Sequence, residues 1–77
     1  MMMLEYYNKE GKIVKGMCGE GDWFMYDNGY CIIYSIEDPE HIYMKDVYPG
    51  EDEDTWEYDK CKYPVTRSDI KKMTKIS

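Results

Sequence analysis

Short apolar and aromatic runs alternate with turn-forming residues along this chain, and in the longer runs every second position is apolar. A period of two belongs to strands that turn one face toward a core. Met2 to Tyr7 reads as a first strand and Lys12 to Lys15 as a second. Between them Asn8-Lys9-Glu10-Gly11 is a turn, with glycine at the left-handed corner. Gly16, Gly19 and Gly21 surround Met17-Cys18 and predict a loop or bulge, because glycine weakens a strand interior. Trp23 to Asp27 and Tyr30 to Tyr34 are β-rich runs joined by Asn28-Gly29. That is a strong hairpin signature, since a type I′ turn needs positive φ at both central residues. Glu37-Asp38-Pro39-Glu40 predicts the next turn. His41 to Tyr48 alternates, with Ile42, Met44 and Asp46 on one face and Tyr43, Lys45 and Val47 on the other. Pro49-Gly50 ends that run, and Glu51-Asp52-Glu53-Asp54 reads as a solvated loop. Thr55 to Cys61 alternates again, setting Trp56, Tyr58 and Lys60 opposite Glu57, Asp59 and Cys61.

The pattern changes after Pro64, which is expected to end the strand. Thr66 with Asp69 three residues on forms a capping-box pattern, and Ser68 is an alternative cap. Ile70, Met73 and Ile76 recur at helical spacing, with Lys71, Lys72 and Lys75 toward the C-terminal end of the segment. These residues predict a short helix from about 67 to 75. The expected fold is therefore α+β: a single domain over residues 1–77, with a twisted antiparallel meander of about four to six strands over about 2–61. One C-terminal helix covers a face or edge, and the sheet can curl toward a small barrel.

Tyr7-Asn8-Lys9-Glu10-Gly11-Lys12-Ile13 and Tyr26-Asp27-Asn28-Gly29-Tyr30-Cys31-Ile32 both run aromatic, turn, apolar. Their style resembles the hairpin units of MORN-type repeats. The later glycine and tryptophan of that repeat are out of register, so the resemblance implies shared turn chemistry and no function.

Charge changes the picture more than length does. Sixteen acidic against ten basic residues give a net charge of −6 over 77 residues. Residues 37–59 hold ten acids and one lysine, whereas residues 60–77 hold six bases and one acid. An acidic middle argues against phosphate backbones and anionic membranes as ligands and favours a basic partner. Nine tyrosines supply rings with an apolar body and a polar tip. A chain this short also gains buried area by self-association, so a homodimer is compatible with its size. The start of the chain lacks the basic region and apolar run of a signal peptide, and no segment has membrane-spanning length. A soluble, cytoplasmic domain is expected.

Little in the sequence supports chemistry. Cys18, Cys31 and Cys61 are odd in number and lack paired spacing, as reduced thiols would be. With His41 they would make a Cys3His zinc set, but structural zinc sites present close ligand pairs and here every interval is ten residues or more. His41 is the only histidine, and neither Ser35, Ser68, Ser77 nor a cysteine has the local context of a nucleophile. Gly16, Gly19 and Gly21 lack the Lys-Ser/Thr that completes a phosphate loop. Glu51 to Asp54 are acidic at every position, not at the alternate positions of a calcium loop. No catalytic residue, metal or cofactor is assigned, and a non-enzymatic role is expected.

The remaining feature is the acidic segment. Glu57 and Asp59 are two apart on a predicted strand and should point the same way, roughly 6–7 Å apart. Glu51 to Asp54 lead into them, and Asp46, Glu37, Asp38 and Glu40 are expected on adjacent turns. Such a row resembles a line of phosphates in charge and reach. Size, acidity and tyrosine content resemble, in general character, small phage-encoded anti-CRISPR and anti-restriction proteins. That resemblance implies a viral inhibitor acting in the host cytoplasm as a DNA mimic. The expected function is to block a nucleic-acid-binding enzyme or complex, without binding nucleic acid or membrane. Glu51, Asp52, Glu53, Asp54, Glu57 and Asp59 would carry the contact, with Trp56 and Tyr58 as anchors. The alternative is an adaptor or homo-oligomeric module that uses a sheet edge or a Tyr/Met face, its acids only solubilising.

Overall fold

The computed structural model describes residues 1–77, the side chain of Glu53 excepted. β1 (Met2–Tyr7) and β2 (Ile13–Cys18) form an antiparallel hairpin with pairs from Met2↔Cys18 to Tyr7↔Ile13. The Asn8 carboxamide oxygen closes the turn, accepting from the N–H groups of Glu10 and Lys12. β2 therefore continues through Gly16, Met17 and Cys18, where a loop or bulge was expected. Gly16 belongs in the strand because the Tyr6 hydroxyl occupies the place a Cβ would take. Here glycine marks close approach rather than a break.

β3 (Trp23–Tyr26) and β4 (Gly29–Asp38) form the expected second hairpin, but its turn sits one residue earlier. Tyr26 pairs with Gly29, so Asp27 (φ 52°) and Asn28 (φ 64°) are the central residues. Both side chains tolerate the left-handed region, and this register sets Phe24 opposite Cys31 inside the core. β5 (His41–Tyr48) pairs along β4, with register shifts between Ile33 and Ser35 and between Ile36 and Asp38. Strand pairing reaches Asp38↔His41, leaving only Pro39-Glu40 as the connection, shorter than the four-residue turn expected. The alternation in β5 is as read from the sequence over Ile42 to Lys45, with Ile42 and Met44 fully buried and Asp46 accepting a hydrogen bond from the Tyr63 hydroxyl; Val47, on the other face, is buried as well, paired between Tyr30 and Tyr58.

Beyond β5 the chain forms a 3-10 turn (Glu53–Thr55), then β6 (Glu57–Tyr58) and β7 (Tyr63–Val65), both on β5. The strand expected over Thr55–Cys61 is only two residues long. The Asp59 carboxylate accepts from the Cys61 N–H and turns the chain away. Pro64, expected to break a strand, lies within β7 instead, opposite Tyr43. An edge strand tolerates proline because its outward N–H needs no ladder partner.

The C-terminal helix is one turn, α1 (Arg67–Ile70), rather than 67–75. Asp69 accepts from the Thr66 N–H at 2.8 Å, as the capping pattern implied. The Lys72 and Met73 N–H groups then bond back to the carbonyls of Asp69 and Ile70, a tighter i→i+3 winding that turns the chain. Thr74–Lys75 (β8) enters the sheet between β1 and β3, where an open slot offers ladder partners that a short exposed helix lacks. β8 runs parallel to β1, so the sheet is mixed and has eight strands, not four to six antiparallel ones. Its order is β2-β1-β8-β3-β4-β5-β6, with β7 also on β5. α1 packs against β1 and β7, from opposite halves of that order, and buries Ile70 among Leu4, Phe24, Ile33, Ile42, Met44 and Met73.

Candidate functional site

The face of the sheet away from Phe24 carries a second aromatic group. Strand alternation places Trp23 opposite Ile32, and the row Tyr30↔Val47↔Tyr58 crosses three strands. Trp56, just after the 3-10 turn, packs its ring on Trp23 at 5.0 Å and 68°, and on Tyr30 at 6.2 Å. Tyr58 meets Trp23 at 6.4 Å and 61°. Edge-on contacts of this kind are favourable between aromatic quadrupoles. An open groove of about 550 Å³ runs along these rings, lined by Trp23, Trp56, Tyr58, Ile76, Ser77 and Asp54. Its Ile76 wall is held by β8, whose continuation bonds Ile76 N–H to the Trp23 carbonyl.

The acidic loop is tied to the groove by its own hydrogen bonds. The Asp52 carboxylate accepts from the Asp54 N–H at 3.0 Å, and the Thr55 hydroxyl donates to the Asp52 carbonyl at 2.9 Å. Gly50 lies so tightly against Thr55 that a Cβ there would collide with it. These contacts fix where Asp54 leaves the loop and where Trp56 enters the aromatic group. Glu51, Asp52, Asp54 and Glu57 are exposed and Asp59 is half-buried; the side chain of Glu53 lies outside the described residues. Hydrogen bonds from the Cys61 N–H and the Tyr48 hydroxyl hold Asp59 below the ordinary carboxylate range, and Asp59 in turn raises the Tyr48 phenol. Tyr48 also pairs with Glu57, so Glu57 and Asp59 lie on one side of the β5 edge while Trp56 and Tyr58 face the other.

The acids of the middle third do not form one row. Glu37, Asp38 and Glu40 sit at the start of β5, and residues 51–59 follow its end, an eight-residue strand away, which is roughly 25 Å. The first group also has partners: Asp38 bonds the His41 ring at 2.8 Å, and Glu40 meets Arg67 at 3.1 Å. Asp46 is turned toward Tyr63. The expectation that Glu37, Asp38 and Glu40 lie near the 51–59 loop is corrected by the length of β5, whereas Asp46 does lie beside the segment, its carbonyl accepting from the Asp59 N–H at 2.9 Å. Lys71 and Lys75 pair with Glu5 and Asp22, and among the described residues no ion pair involves a carboxylate of the loop.

Residues considered for chemistry are dispersed. Cys18 and Cys31 are buried on β2 and β4, Cys61 is exposed, and His41 is the exposed first residue of β5. Burial, with Asp22 nearby, pushes the Cys18 thiol up to about 11, and burial likewise raises Cys31. Burial and the bond to Asp46 raise the Tyr63 phenol. Among the described residues no three His, Cys, Asp or Glu side chains are placed to hold a metal. Trp23, Ile76 and Ser77 are the groove residues that sequence reasoning missed. Trp23 carried a signal, since alternation sets it opposite the core residue Phe24; Ile76 was read only as a recurrence of helical spacing, and Ser77 only as a serine without the context of a nucleophile.

The chain matches no family model, and comparison with curated proteins and with solved structures finds no match.

Proposed function

We propose that this protein is a non-enzymatic binding protein that takes hold of a basic protein surface with the segment 51–59. The observation that supports this most strongly is the position of Asp54, a loop carboxylate without an ion-pair partner among the described residues, in the lining of the Trp23–Trp56–Tyr58 groove, with exposed Glu51, Asp52 and Glu57 on the same segment. Aromatic anchors beside like-signed charge are the usual makings of an interface hot spot and of electrostatically steered association. A cationic groove evolved to hold phosphates is a natural target for such a loop, so the partner class proposed is a nucleic-acid-binding protein and the role inhibition by occupation. The division of the acids between the two ends of β5 narrows this to a local contact by residues 51–59 rather than a long phosphate-like line.

Charge reversal tests it. Glu51, Glu53, Asp54 and Glu57 are changed together to lysine, sparing Asp52 and Asp59, whose carboxylates close turns. Wild type used as bait in a lysate of its source should capture a basic nucleic-acid-binding protein that the variant, with an unchanged far-ultraviolet spectrum, does not. Equal capture by both proteins defeats the proposal.

A second reading has its own observation. Met3, Ile13 and Met17 are about half exposed on paired positions of β1 and β2, and β2 is an edge of the sheet. Such an edge suits an adaptor or self-associating module. Sedimentation showing a dimer that Met17→Lys dissociates would favour it.

A further inference from the structure

We propose that the Trp23–Trp56–Tyr58 groove is a receptor for a single arginine side chain presented by a basic protein segment; this rests on the basic-partner reading above and names its anchor. Three rings meet there at steep angles, 68° for Trp23–Trp56 and 61° for Trp23–Tyr58, so that edges and faces bound one open space. Asp54 stands at its rim. Aromatic faces are electron-rich and attract cations, tryptophan most strongly, and an adjacent carboxylate completes the charge.

The chain's own cations supply a comparison. Lys45 and Lys62 lie over the Tyr34 ring at 4.6 and 5.4 Å, Lys62 also covers Tyr43 at 4.7 Å, and Lys75 approaches Tyr6 at 5.9 Å. Three other tyrosines, Tyr6, Tyr34 and Tyr43, thus carry internal cations. Among the described residues no cation lies over Trp23, Trp56 or Tyr58, although two of these are the strongest acceptors in the protein. Tyr58 is 53% exposed, so a ligand in the groove can reach it. Arginine rather than lysine is inferred because a planar guanidinium stacks on a ring while its edge donates to a carboxylate, and it sheds water more readily than an ammonium.

Both tryptophans of the chain line the groove, so intrinsic fluorescence reports on it directly. The probes are end-capped hexa-arginine, hexa-lysine and hexa-citrulline, the last matching arginine in shape without its charge. Hexa-arginine should change the tryptophan emission saturably, with affinity at least several-fold above hexa-lysine and with no saturable response to hexa-citrulline. Tyr58→Leu and Trp56→Leu should each weaken hexa-arginine about three- to tenfold. Tyr58 is exposed enough that its replacement leaves the fold intact, which thermal unfolding verifies. Absence of hexa-arginine binding, parity with hexa-lysine or hexa-citrulline, or an unchanged affinity in Tyr58→Leu overturns the receptor. Should binding to hexa-arginine survive Tyr58→Leu and Trp56→Leu but vanish on reversal of the four loop acids, the receptor falls and the acidic-loop reading stands.

Discussion

Gly16→Ala should destabilise this protein, against the usual direction for replacing a strand glycine. A methyl group at residue 16 collides with the Tyr6 hydroxyl and comes within 3.2 Å of Tyr6 Cζ. The ring's movement is restricted, because it meets Phe24 edge-on at 6.1 Å and the Lys75 ammonium lies 5.9 Å from its centre. Overpacking of this kind costs about 1–3 kcal/mol. The narrower unfolded ensemble of alanine returns about 0.5–1 kcal/mol. The net loss lies within about 0–2.5 kcal/mol and centres on about 1.3 kcal/mol, a drop in Tm of roughly 5–10 °C at the centre for a domain of this size. Tyr6→Phe removes the colliding oxygen, so the alanine should cost much less in that background, with a coupling of about 1 kcal/mol. Urea unfolding of the wild type, the two single variants and the double variant measures all four corners. A Gly16→Ala protein as stable as wild type, or an equal loss with tyrosine and phenylalanine at position 6, would refute the close packing of Tyr6 on β2.

Three further outcomes are expected. Asn28→Val forces a β-branched residue to φ 64° and should cost about 1–2 kcal/mol in urea unfolding, whereas Asn28→Gly should be neutral or better; equal effects would contradict the turn assignment. The bond to Asp38 raises the His41 pKa above 6.5 and lowers that of Asp38 below 3.8. The contribution of His41 is therefore complete below pH 6.5 and lost as pH rises through its folded value. That of Asp38 is present above pH 3.8 and lost as pH falls through its folded value, so both act together between pH 3.8 and 6.5. An NMR titration should find the His41 midpoint above 6.5 and lowered in Asp38→Asn; no change in that variant contradicts the contact. Of the three cysteines, Cys61 alone should react quickly with a thiol reagent in the native state, since Cys18 and Cys31 are buried with raised pKa values; rapid labelling of all three would contradict the core.

The strands were legible where local chemistry and burial agree. β1 matches its apolar run residue for residue, and the alternation in β5 separated Ile42 and Met44 from Tyr43 and Lys45. Errors arose where a residue's role depends on a distant partner. Gly16 reads as a breaker until Tyr6 is seen to need its space, and Pro64 reads as a stop until β7 is seen to be an edge. Ile70, Met73 and Ile76 have helical spacing, yet the slot between β1 and β3 draws Thr74 and Lys75 into the sheet. That pairing is non-local and leaves no trace in the local pattern. For the candidate site, the acids and the pair Trp56 and Tyr58 were visible as a sequence-local cluster. Trp23 and Ile76 were not, because strand pairing alone brings them to the loop. The supposed alignment of Glu37, Asp38 and Glu40 with that loop failed for the same reason, with β5 holding the two groups apart.

The most direct measurement is the dissociation constant of the captured partner at rising ionic strength, for wild type and for the protein with Glu51, Glu53, Asp54 and Glu57 reversed to lysine. If loop carboxylates steer and hold a basic surface, wild-type affinity falls steeply with salt, as a straight line of log affinity against log salt, and the variant is weak and nearly insensitive at every salt concentration. Parallel, shallow salt responses in the two proteins would contradict a contact made through residues 51–59.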